Sequence, residues 1–521
     1  MKKNPFFTHA KKTALGIVLV MLMITSCKRD DGPDTSLNNS PAPDVNFYAL
    51  TLDNKLIYIN AKNPDVILNS APITGLKPNE KLLGIDFRPA GGQLYGIGSR
   101  SELYTINTKT GVADIIYDAP FAATVDLALS AVDFDPVNDL IHVVSPLGRN
   151  LFINPVPTDG GIISYYNGNI FDAADGQGSA TVQIIAAAYT HNRAAATTTE
   201  LYDIDIKKDK LFKHAPGETG ALTAVGPLGF DVEGVGGFDI NPEGTIALAA
   251  LTLKATGKTG LFTIDLATGK ATKVGDCSAT ITSVAIPTDP IAYAVNPANE
   301  LLIFNPLNPS PIAKPITGLP PGVGIVGIDI HPEFGYLYGL GNNNTMYLIN
   351  VTTGQATLKR ILYFALSGTS FGFDFDPTSD SIRVISNTGQ NLRVSSANGT
   401  SNAATTDTPL PPGTTGVCAA AYTNNFDGAT TTTLYVIDSQ TDKLFRMDPA
   451  NKGTLVEIGP LGVNVDDSNG FDIGGTSGKA YALLTVSGAT KVYTINLTTG
   501  AATAVADFPQ AVKGFALGLG F

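Results

Sequence analysis

The sequence contains no tryptophan and is poor in charged residues. Charged residues make up 15% of the 521 residues, against about 25% in an average globular chain. Lys and Arg together number 34, whereas Asp and Glu number 46. Proteins that bind nucleic acid need clustered basic side chains to contact phosphates, so this acidic balance excludes nucleic acid as an expected partner.

Cysteine and histidine are also scarce. Cys277 and Cys418 do not fall at equivalent positions of the internal repeat described below, so they predict two small buried apolar residues rather than a disulfide. The five histidines show no ligand-like spacing, and the chain lacks HExxH and P-loop motifs. The sequence therefore predicts no metal ion, no cofactor and no assigned catalytic residue.

One hydrophobic run stands near the amino terminus, and it is too short to span a membrane. Residues 1–27 carry four lysines among the first twelve residues, continue through the apolar run Thr13–Ile24 and end in Ile-Thr-Ser-Cys. A membrane-spanning helix needs about 20 apolar residues, so this segment is a signal peptide and not part of the fold. Its last residues resemble a bacterial lipobox, which predicts lipidation of Cys27 and membrane attachment through that lipid.

The residues after Cys27 predict a flexible tether over 28–45. Lys28-Arg29-Asp30-Asp31 resembles the charged tract of surface-exported lipoproteins of Bacteroidota-type bacteria, although a solvated linker has the same composition. Residues up to Asp44 are rich in Asp, Pro, Ser and Asn, without apolar periodicity. We expect an outer-membrane lipoprotein of the cell envelope, with cell-surface exposure as a further hypothesis.

A short phrase recurs through the rest of the chain. Leu103–Gly111 alternates apolar and polar residues and ends in Thr-Lys-Thr-Gly, the pattern of a half-buried strand followed by a turn. The phrase returns at 261–269, 346–354 and 492–500, with looser versions between. Neighbouring copies lie about 40 to 60 residues apart, a period typical of four-stranded propeller blades.

The repeat is itself duplicated. Ile85-Asp86-Phe87-Arg88-Pro89 matches Ile328-Asp329-Ile330-His331-Pro332 at an offset of 243, and Leu261 matches Val492 at an offset of 231. The two copies span 46–288 and 289–521. The largest insertion lies between Asn150 and Ala188, and we expect it to be mostly loop, because loops tolerate length changes better than strands.

These patterns predict an all-β propeller of about ten four-stranded blades, five in each copy. Ten blades form either two tandem five-bladed propellers or one ten-bladed ring. The linker between the copies has the length of an ordinary hairpin and permits both arrangements. We favour two rings, because a unit that was duplicated whole had closed on itself before the duplication.

Several motifs in series, including GIDFRP, QLYGIGS, GFDFDP, TGQNLR, AAAYTNN and GPLGV, resemble the bacterial family catalogued as domain of unknown function 4394. The resemblance covers both copies and implies an extracytoplasmic β-propeller. The first copy departs from the pattern at Ser145–Asn150. The family implies no catalytic residue, so no role is transferred.

An aspartate recurs in the first strand of several units. It stands at six positions, three in each copy: Asp86, Asp133, Asp239, Asp329, Asp374 and Asp472. Because first strands line the propeller axis, one hypothesis is that these carboxylates converge and act in glycoside chemistry. The favoured hypothesis is that each accepts backbone N–H bonds in the adjoining turn.

The inserted stretch offers a second candidate. Aromatic and amide side chains on an exposed loop are suited to sugar or protein recognition, and this stretch carries Tyr165, Tyr166, Asn167 and Asn169. An ordinary strand with packed tyrosines is the alternative. We therefore expect a lipid-anchored binding or interaction module for an unknown protein or glycan; a glycan-active enzyme and a structural cell-envelope protein are the alternatives.

Overall fold

Short antiparallel strands account for nearly all regular structure in the computed structural model. The structure describes residues 41–121, 131–156, 164–175, 182–215, 220–395, 404–411, 413 and 416–521. The only helical element in those ranges is the 3-10 turn Ala450–Lys452. Within the same ranges, no helix has the length and apolarity needed to cross a membrane.

Within its described residues, the first copy forms five sheets. Its strands are β1 (Asn46–Thr51), β2 (Lys55–Asn60), β3 (Ile67–Pro72), β4 (Leu82–Phe87), β5 (Leu94–Gly98), β6 (Leu103–Ile106), β7 (Ala113–Ile115), β8 (Ala131–Asp135), β9 (Leu140–Val144), β10 (Arg149–Ile153), β11 (Ser164–Asn169), β12 (Phe171–Asp172), β13 (Ile184–Tyr189), β14 (Leu201–Asp205), β15 (Lys210–His214), β16 (Ala221–Pro227), β17 (Val232–Ile240), β18 (Ala247–Leu253), β19 (Lys258–Ile264), β20 (Ala271–Asp276) and β21 (Ile281–Ala285). Four sheets have four strands, and the sheet of β13 to β16 gains β12 as a fifth.

The second copy repeats this plan with five four-stranded sheets. Its strands are β22 (Ala292–Val295), β23 (Glu300–Asn305), β24 (Asn308–Pro315), β25 (Ile325–Ile330), β26 (Leu337–Gly341), β27 (Thr345–Ile349), β28 (Ala356–Ile361), β29 (Phe371–Asp376), β30 (Ser381–Ser386), β31 (Asn391–Ser395), β32 (Ala404–Thr406), β33 (Val417–Tyr422), β34 (Leu434–Asp438), β35 (Lys443–Met447), β36 (Leu455–Pro460), β37 (Gly470–Ile473), β38 (Ala480–Val486), β39 (Ala489–Ile495), β40 (Ala502–Phe508) and β41 (Gly514–Leu517).

Each ring is closed by a strand from its own carboxyl end. β21 pairs with β1, placing Tyr48 opposite Ala285, and the first sheet has the order β21-β1-β2-β3. β41 pairs with β22 in the same way, placing Ala292 opposite Leu517. The single ten-bladed ring is therefore wrong, because it would require β21 to join the sheet of the second copy.

The innermost strands of the sheets, here called axial strands, complete the circles. In the first ring β4, β8, β13, β17 and β21 contact one another in that order, and β21 contacts β4. In the second ring β25, β29, β33, β37 and β41 do the same, and β41 contacts β25. The fold is thus two tandem five-bladed propellers, as favoured from the sequence.

The hydrophobic core is divided among the gaps between neighbouring blades. One cluster of buried side chains fills each gap around each ring; Ile85, for example, packs with Leu50 and Leu56 between the first two blades. Equivalent clusters occupy the other gaps. Because both faces of the sheets are buried between blades near the axis, the axial strands are apolar nearly throughout.

The recurring Thr-Gly phrase is the third strand of a blade with its turn. Gly111 has φ 74°, a left-handed conformation that glycine adopts without a steric penalty. Its N–H donates to the carbonyl of Asn107 at 2.8 Å, closing the turn. The same turn ends in Gly269, Gly354 and Gly500, so the repeated sequence is explained by one repeated backbone conformation.

The insertion in the first copy differs from the sequence expectation. Much of its described part is strand rather than loop: β11 pairs with β10, and β12 runs parallel to β16. The outermost strand of one blade and the extra strand of the next therefore both come from this stretch.

The two propellers pack against each other within one compact unit. The Tyr293 hydroxyl of the second ring donates to the Ala90 carbonyl of the first at 2.7 Å, and the Gly520 N–H donates to the Gly91 carbonyl at 2.9 Å. Ala194 and Ala195 of the first ring pack on a core cluster of the second. Turns of the first ring therefore cover part of the second.

Ring closure within each copy generates a prediction about the boundary between residues 288 and 289. Residues 289–521 expressed alone should be soluble and unfold in one cooperative transition, because β41 and β22 leave no sheet edge open. The same fragment ending at residue 513 lacks β41 and should aggregate. Circular dichroism melts and size-exclusion chromatography measure both properties. A molten or insoluble 289–521 fragment beside a stable whole chain would contradict the predicted domain boundary.

Candidate functional site

All six recurring aspartates lie on axial strands. Asp86 stands on β4 between Ile85 and Phe87, which both pack into the core shared with the preceding blade. Since neighbouring side chains of a strand point to opposite faces, Asp86 is directed towards the following blade. Asp133, Asp239, Asp329, Asp374 and Asp472 occupy the matching strands β8, β17, β25, β29 and β37.

The carboxylates of each ring converge. One carboxylate oxygen from each of Asp86, Asp133 and Asp239 lies within 4.8 Å of the others, and the three aspartates of the second ring form an equal group. We call these groups the first and second axial clusters. Every member is at most 1% exposed. The convergence expected from the sequence is therefore present, but the carboxylates lie in the protein interior.

Each aspartate accepts a backbone N–H from the next axial strand around the ring. In the first ring Phe134 donates to Asp86 Oδ2 at 2.7 Å and Tyr189 to Asp133 Oδ1 at 3.2 Å. In the second ring Phe375 donates to Asp329 Oδ2 at 2.8 Å and Tyr422 to Asp374 Oδ1 at 3.0 Å. These bonds join blades that are neighbours around the ring, next to its axis.

Asp239 and Asp472, the remaining members of the two clusters, accept a backbone N–H at the end of the strand that closes their ring. Asp239 Oδ2 accepts from Ile286 at 2.5 Å, and Asp472 Oδ2 accepts from Leu517 at 2.6 Å. The favoured sequence hypothesis was right that backbone N–H groups are the donors, but wrong about their place. The donors belong to the adjacent blade and not to the adjoining turn, and Asp239, Asp329 and Asp472 also accept the N–H of the next residue in their own strand.

The turn itself is held by another aspartate, two residues further along. Asp135 Oδ1 accepts from Val137 at 2.9 Å and from Asn138 at 3.1 Å, and Asp376 Oδ1 accepts from Thr378 at 2.9 Å. This is the Asx-turn geometry that the sequence hypothesis assigned to the first aspartate of the motif. In Asp-Phe-Asp-Pro the first carboxylate links blades and the second locks the turn.

Alanine occupies the two axial positions of each ring that lack aspartate. These alanines are Ala188 and Ala285 in the first ring and Ala421 and Ala516 in the second. The residue directly after each of them donates its N–H to an axial aspartate; these donors are Tyr189, Ile286, Tyr422 and Leu517. Around either ring the order is Asp, Asp, Ala, Asp, Ala. The small methyl groups leave the centre of the ring to three carboxylates, a pattern that could have been found by aligning all five units of a copy.

Burial raises the pKa of every axial aspartate. It raises the pKa of Asp239 and of Asp472 to about 7. For Asp86 and Asp133 the pKa is well above the usual value, first because of burial and then because of the neighbouring carboxylates. Asp329 and Asp374 show the same direction and the same causes. Three negative charges in one dry space are unfavourable, so each cluster favours a bound proton or cation.

The predicted binding stretch is a strand and not a loop. Tyr165 and Tyr166 lie in β11, opposite Phe152 and Leu151 of β10, and Asn169 lies opposite Arg149. Asn167 lies in the same strand. The expectation of an exposed loop is wrong, because the backbone is used in the sheet ladder; the binding role remains a hypothesis.

The first ring also contains a buried polar network that the spacing of histidines did not indicate. The His142 and His214 rings are 5.6 Å apart, and His214 Nδ1 lies 3.1 Å from Asp203 Oδ2. Burial and His214 lower the pKa of His142 to about 3. In the second ring Arg383 takes the place of His142, and its Nη1 lies 2.7 Å from Asp407 Oδ2. The two copies therefore fill the same position with different polar side chains.

A cleft of about 550 Å³ lies between the two propellers. Two matched pairs of side chains line it, one from each copy. Arg88 donates to Asp139 through Nε at 2.8 Å and through Nη2 at 2.5 Å, and its Nη1 reaches the Gly335 carbonyl of the second ring at 3.4 Å. His331 replaces Arg88 in the second copy, and its Nε2 lies 3.0 Å from Asp380 Oδ1.

Aromatic and amide side chains complete the cleft. The first ring contributes Tyr117, Asn138 and Asn154, and the second contributes Phe334, Tyr336, Asn350, Gln355 and Lys359. Sequence reasoning missed this cleft because it exists only where two rings meet. The matched positions of Arg88 with His331, and of Asp139 with Asp380, were the available signal.

Replacing an axial aspartate should destabilise the protein. In Asp374→Ala the buried N–H of Tyr422 loses its acceptor, which costs about 1–3 kcal/mol of unfolding free energy. Asp374→Asn keeps an acceptor oxygen and removes the charge, so its loss should be smaller. Asp133→Ala and Asp133→Asn should behave alike in the first ring. Denaturant unfolding measures the differences.

Asp507→Ala is the matched control, since Asp507 is 88% exposed, and it should change the unfolding free energy by less than about 0.5 kcal/mol. Alanine variants with unchanged or raised stability would show that relief of charge repulsion dominates, and would reject the blade-linking role.

Comparison with known proteins agrees with the repeat. No curated protein matches the chain. Solved structures with similarity include one described as "Structure of Dos1 propeller", with 13% identity, a TM-score of 0.25, and coverage of 66% of this chain and 86% of that one. A family model described as "Domain of unknown function (DUF4394)" matches residues 55–285 and again 300–516. The chain therefore belongs to the DUF4394 family and carries two copies of its domain.

Proposed function

We propose that the protein is a lipid-anchored, extracytoplasmic binding module whose ligand occupies the cleft between the two propellers. The observation that supports this proposal is the cleft of about 550 Å³ with lining residues from both rings. Ligand sites in proteins commonly measure about 300–1,000 Å³ and lie at domain interfaces. The duplication then has a functional reason, because one propeller alone provides only part of the walls.

The lining favours a glycan over a purely apolar ligand. Tyr117, Phe334 and Tyr336 supply aromatic rings, the side chains that pack on the apolar face of a sugar. Asn350 and Gln355 carry amide groups, which can donate to and accept from hydroxyl groups. The pairs Arg88–Asp139 and His331–Asp380 are already engaged with each other, so they shape the wall rather than demand a charged ligand. A protein segment is the second candidate ligand.

Binding is favoured over catalysis because of where the axial aspartates lie. They are buried to at least 99%, and each holds a backbone N–H of the next blade. A glycoside hydrolase needs two carboxylates on either side of a glycosidic bond, in contact with substrate and water. The glycan-active enzyme and the structural cell-envelope role are the alternatives that binding and activity assays separate.

The anchor is the second part of the proposal. Cys27 and the tether to residue 40 lie outside the described residues, so the support comes from the sequence alone. A lipid on Cys27 would hold the propellers at the outer membrane of the cell envelope by a tether. Stable anchoring of this kind depends on the buried acyl chains and not on the propellers.

A Cys27→Ser variant tests the anchor. Cells fed labelled palmitate should label the parent protein, and the parent should partition into detergent during phase separation. The variant should lose the label and stay in the aqueous phase, because it lacks the thiol that carries the lipid. Cys277→Ser serves as the control and should keep both properties. Equal labelling of parent and Cys27→Ser would reject lipidation at this residue.

Glycan-array binding of the soluble chain from residue 28 tests the cleft. Tyr336→Ala and Lys359→Ala should each weaken binding of any glycan hit by about tenfold or more, and removal of either propeller should abolish it. Tyr363→Ala is the matched control, because Tyr363 is 78% exposed and does not line the cleft; its binding should equal that of the parent.

Equal binding by Tyr336→Ala and the parent would place the ligand elsewhere. An array without hits, combined with capture of an envelope protein that Tyr336→Ala fails to capture, would favour the protein segment. Turnover of a bound glycan would favour the enzyme.

A further inference from the structure

We infer that each axial cluster binds one hard cation of the calcium class, so that the chain carries two buried ions in addition to any ligand in the cleft. This site differs from the sequence expectation of no metal. Within the described residues, the two axial clusters are the groups of three or more His, Cys, Asp or Glu side chains placed to share an ion.

The spacing of the oxygens fits such an ion. Calcium binds oxygen ligands at about 2.3–2.6 Å, so two oxygens on one ion lie at most about 5.2 Å apart. One oxygen from each member of a cluster lies within 4.8 Å of the other two. Carboxylates are the preferred ligands of hard cations, and three of them supply half or nearly half of a calcium shell.

One oxygen of the first cluster lacks a partner, which is a separate sign of a missing ligand. Asp86 Oδ1 is buried and has no hydrogen-bond partner among the described residues. The other oxygen, Oδ2, is already engaged by the N–H of Phe134 at 2.7 Å. Buried carboxylate oxygens are rarely left unpaired, so Oδ1 is available to an ion between the three side chains.

The second ring offers space at its axis. A small, half-open cavity of about 10 Å³ is lined by residues of all five axial strands, but by none of the three carboxylates. Its walls include Ile328, Phe373 and Phe471, each immediately before a member of the second cluster. A volume of this size is close to that needed for one water molecule.

The charges lead to the same conclusion. Among the described residues, no Lys, Arg or His forms an ion pair with any of the six axial aspartates. Their identified donors are backbone N–H groups of the ring. A divalent cation would neutralise two of the three negative charges and would hold three blades of each ring to one point.

Metal analysis and titration of the purified chain test the inference. Elemental analysis of the protein as purified, or calorimetric titration with calcium chloride after dialysis against a chelator, should give two calcium ions per chain. Calcium should also raise the melting temperature, because it binds the folded state and not the unfolded one.

Conservative variants assign the sites. Asp133→Asn should reduce the stoichiometry from two to one, as should Asp374→Asn, and the double variant should bind none. Asp376→Asn is the matched control, because Asp376 lies in the same blade but holds a turn; it should still bind two ions. Should Asp374→Asn fail to fold, Asp329→Asn replaces it.

Two results would overturn the inference. The first is a parent protein that contains no metal as purified and shows neither heat nor a higher melting temperature with millimolar calcium, which would mean that the clusters are neutralised by protons. The second is two calcium ions still bound in the Asp133→Asn/Asp374→Asn double variant, which would place calcium at other carboxylates.

Discussion

The structure depends on one kind of antiparallel pairing, made twice, between the start and the end of a copy. β21 completes the sheet of β1, and β41 completes the sheet of β22. Without that strand the first sheet of a ring would end at an exposed edge, and the gap to the next blade would have only one wall. Since the core consists of separate clusters between neighbouring blades, a ring that is open at one gap exposes apolar surface there.

Closure also creates the environment of the axial aspartates. Five axial strands around a narrow axis leave little room, so the carboxylates that meet there are almost wholly buried. The same carboxylates are used as acceptors between blades, so the strands that enclose them are also held by them. The alternation of aspartate with alanine limits the negative charge to three groups in each ring. Whatever neutralises these groups therefore contributes to the cohesion of the ring.

The two copies have the same axial clusters but differ at other positions. The axial clusters are the same in both rings, whereas His142 in one ring corresponds to Arg383 in the other, and Arg88 corresponds to His331. Positions away from the axis thus vary between copies, and one such pair, Arg88 and His331, lines the cleft. This contrast separates a scaffold that is maintained in each ring from a surface that is shared between the rings.

Periodic features could be predicted from the sequence because they follow from local physics. Alternating apolar residues, Thr-Gly turns with left-handed glycine and the doubled motif series were sufficient for strands, blades and two copies of five. The position of the aspartates on the first strand of a unit, and hence at the axis, followed from the same pattern. The family resemblance rested on those motifs as well.

Long-range partners were decided only by the tertiary structure. The linker near residue 288 permits one ring or two. The pairing of β21 with β1, two strands more than 230 residues apart in the chain, decides for two rings. No local pattern shows that Asp374 binds the N–H of Tyr422, 48 residues away, instead of its own turn. The cleft depends on how two closed surfaces pack. Each of these features arises between segments that the sequence specifies separately, so only the folded chain determines which of them meet.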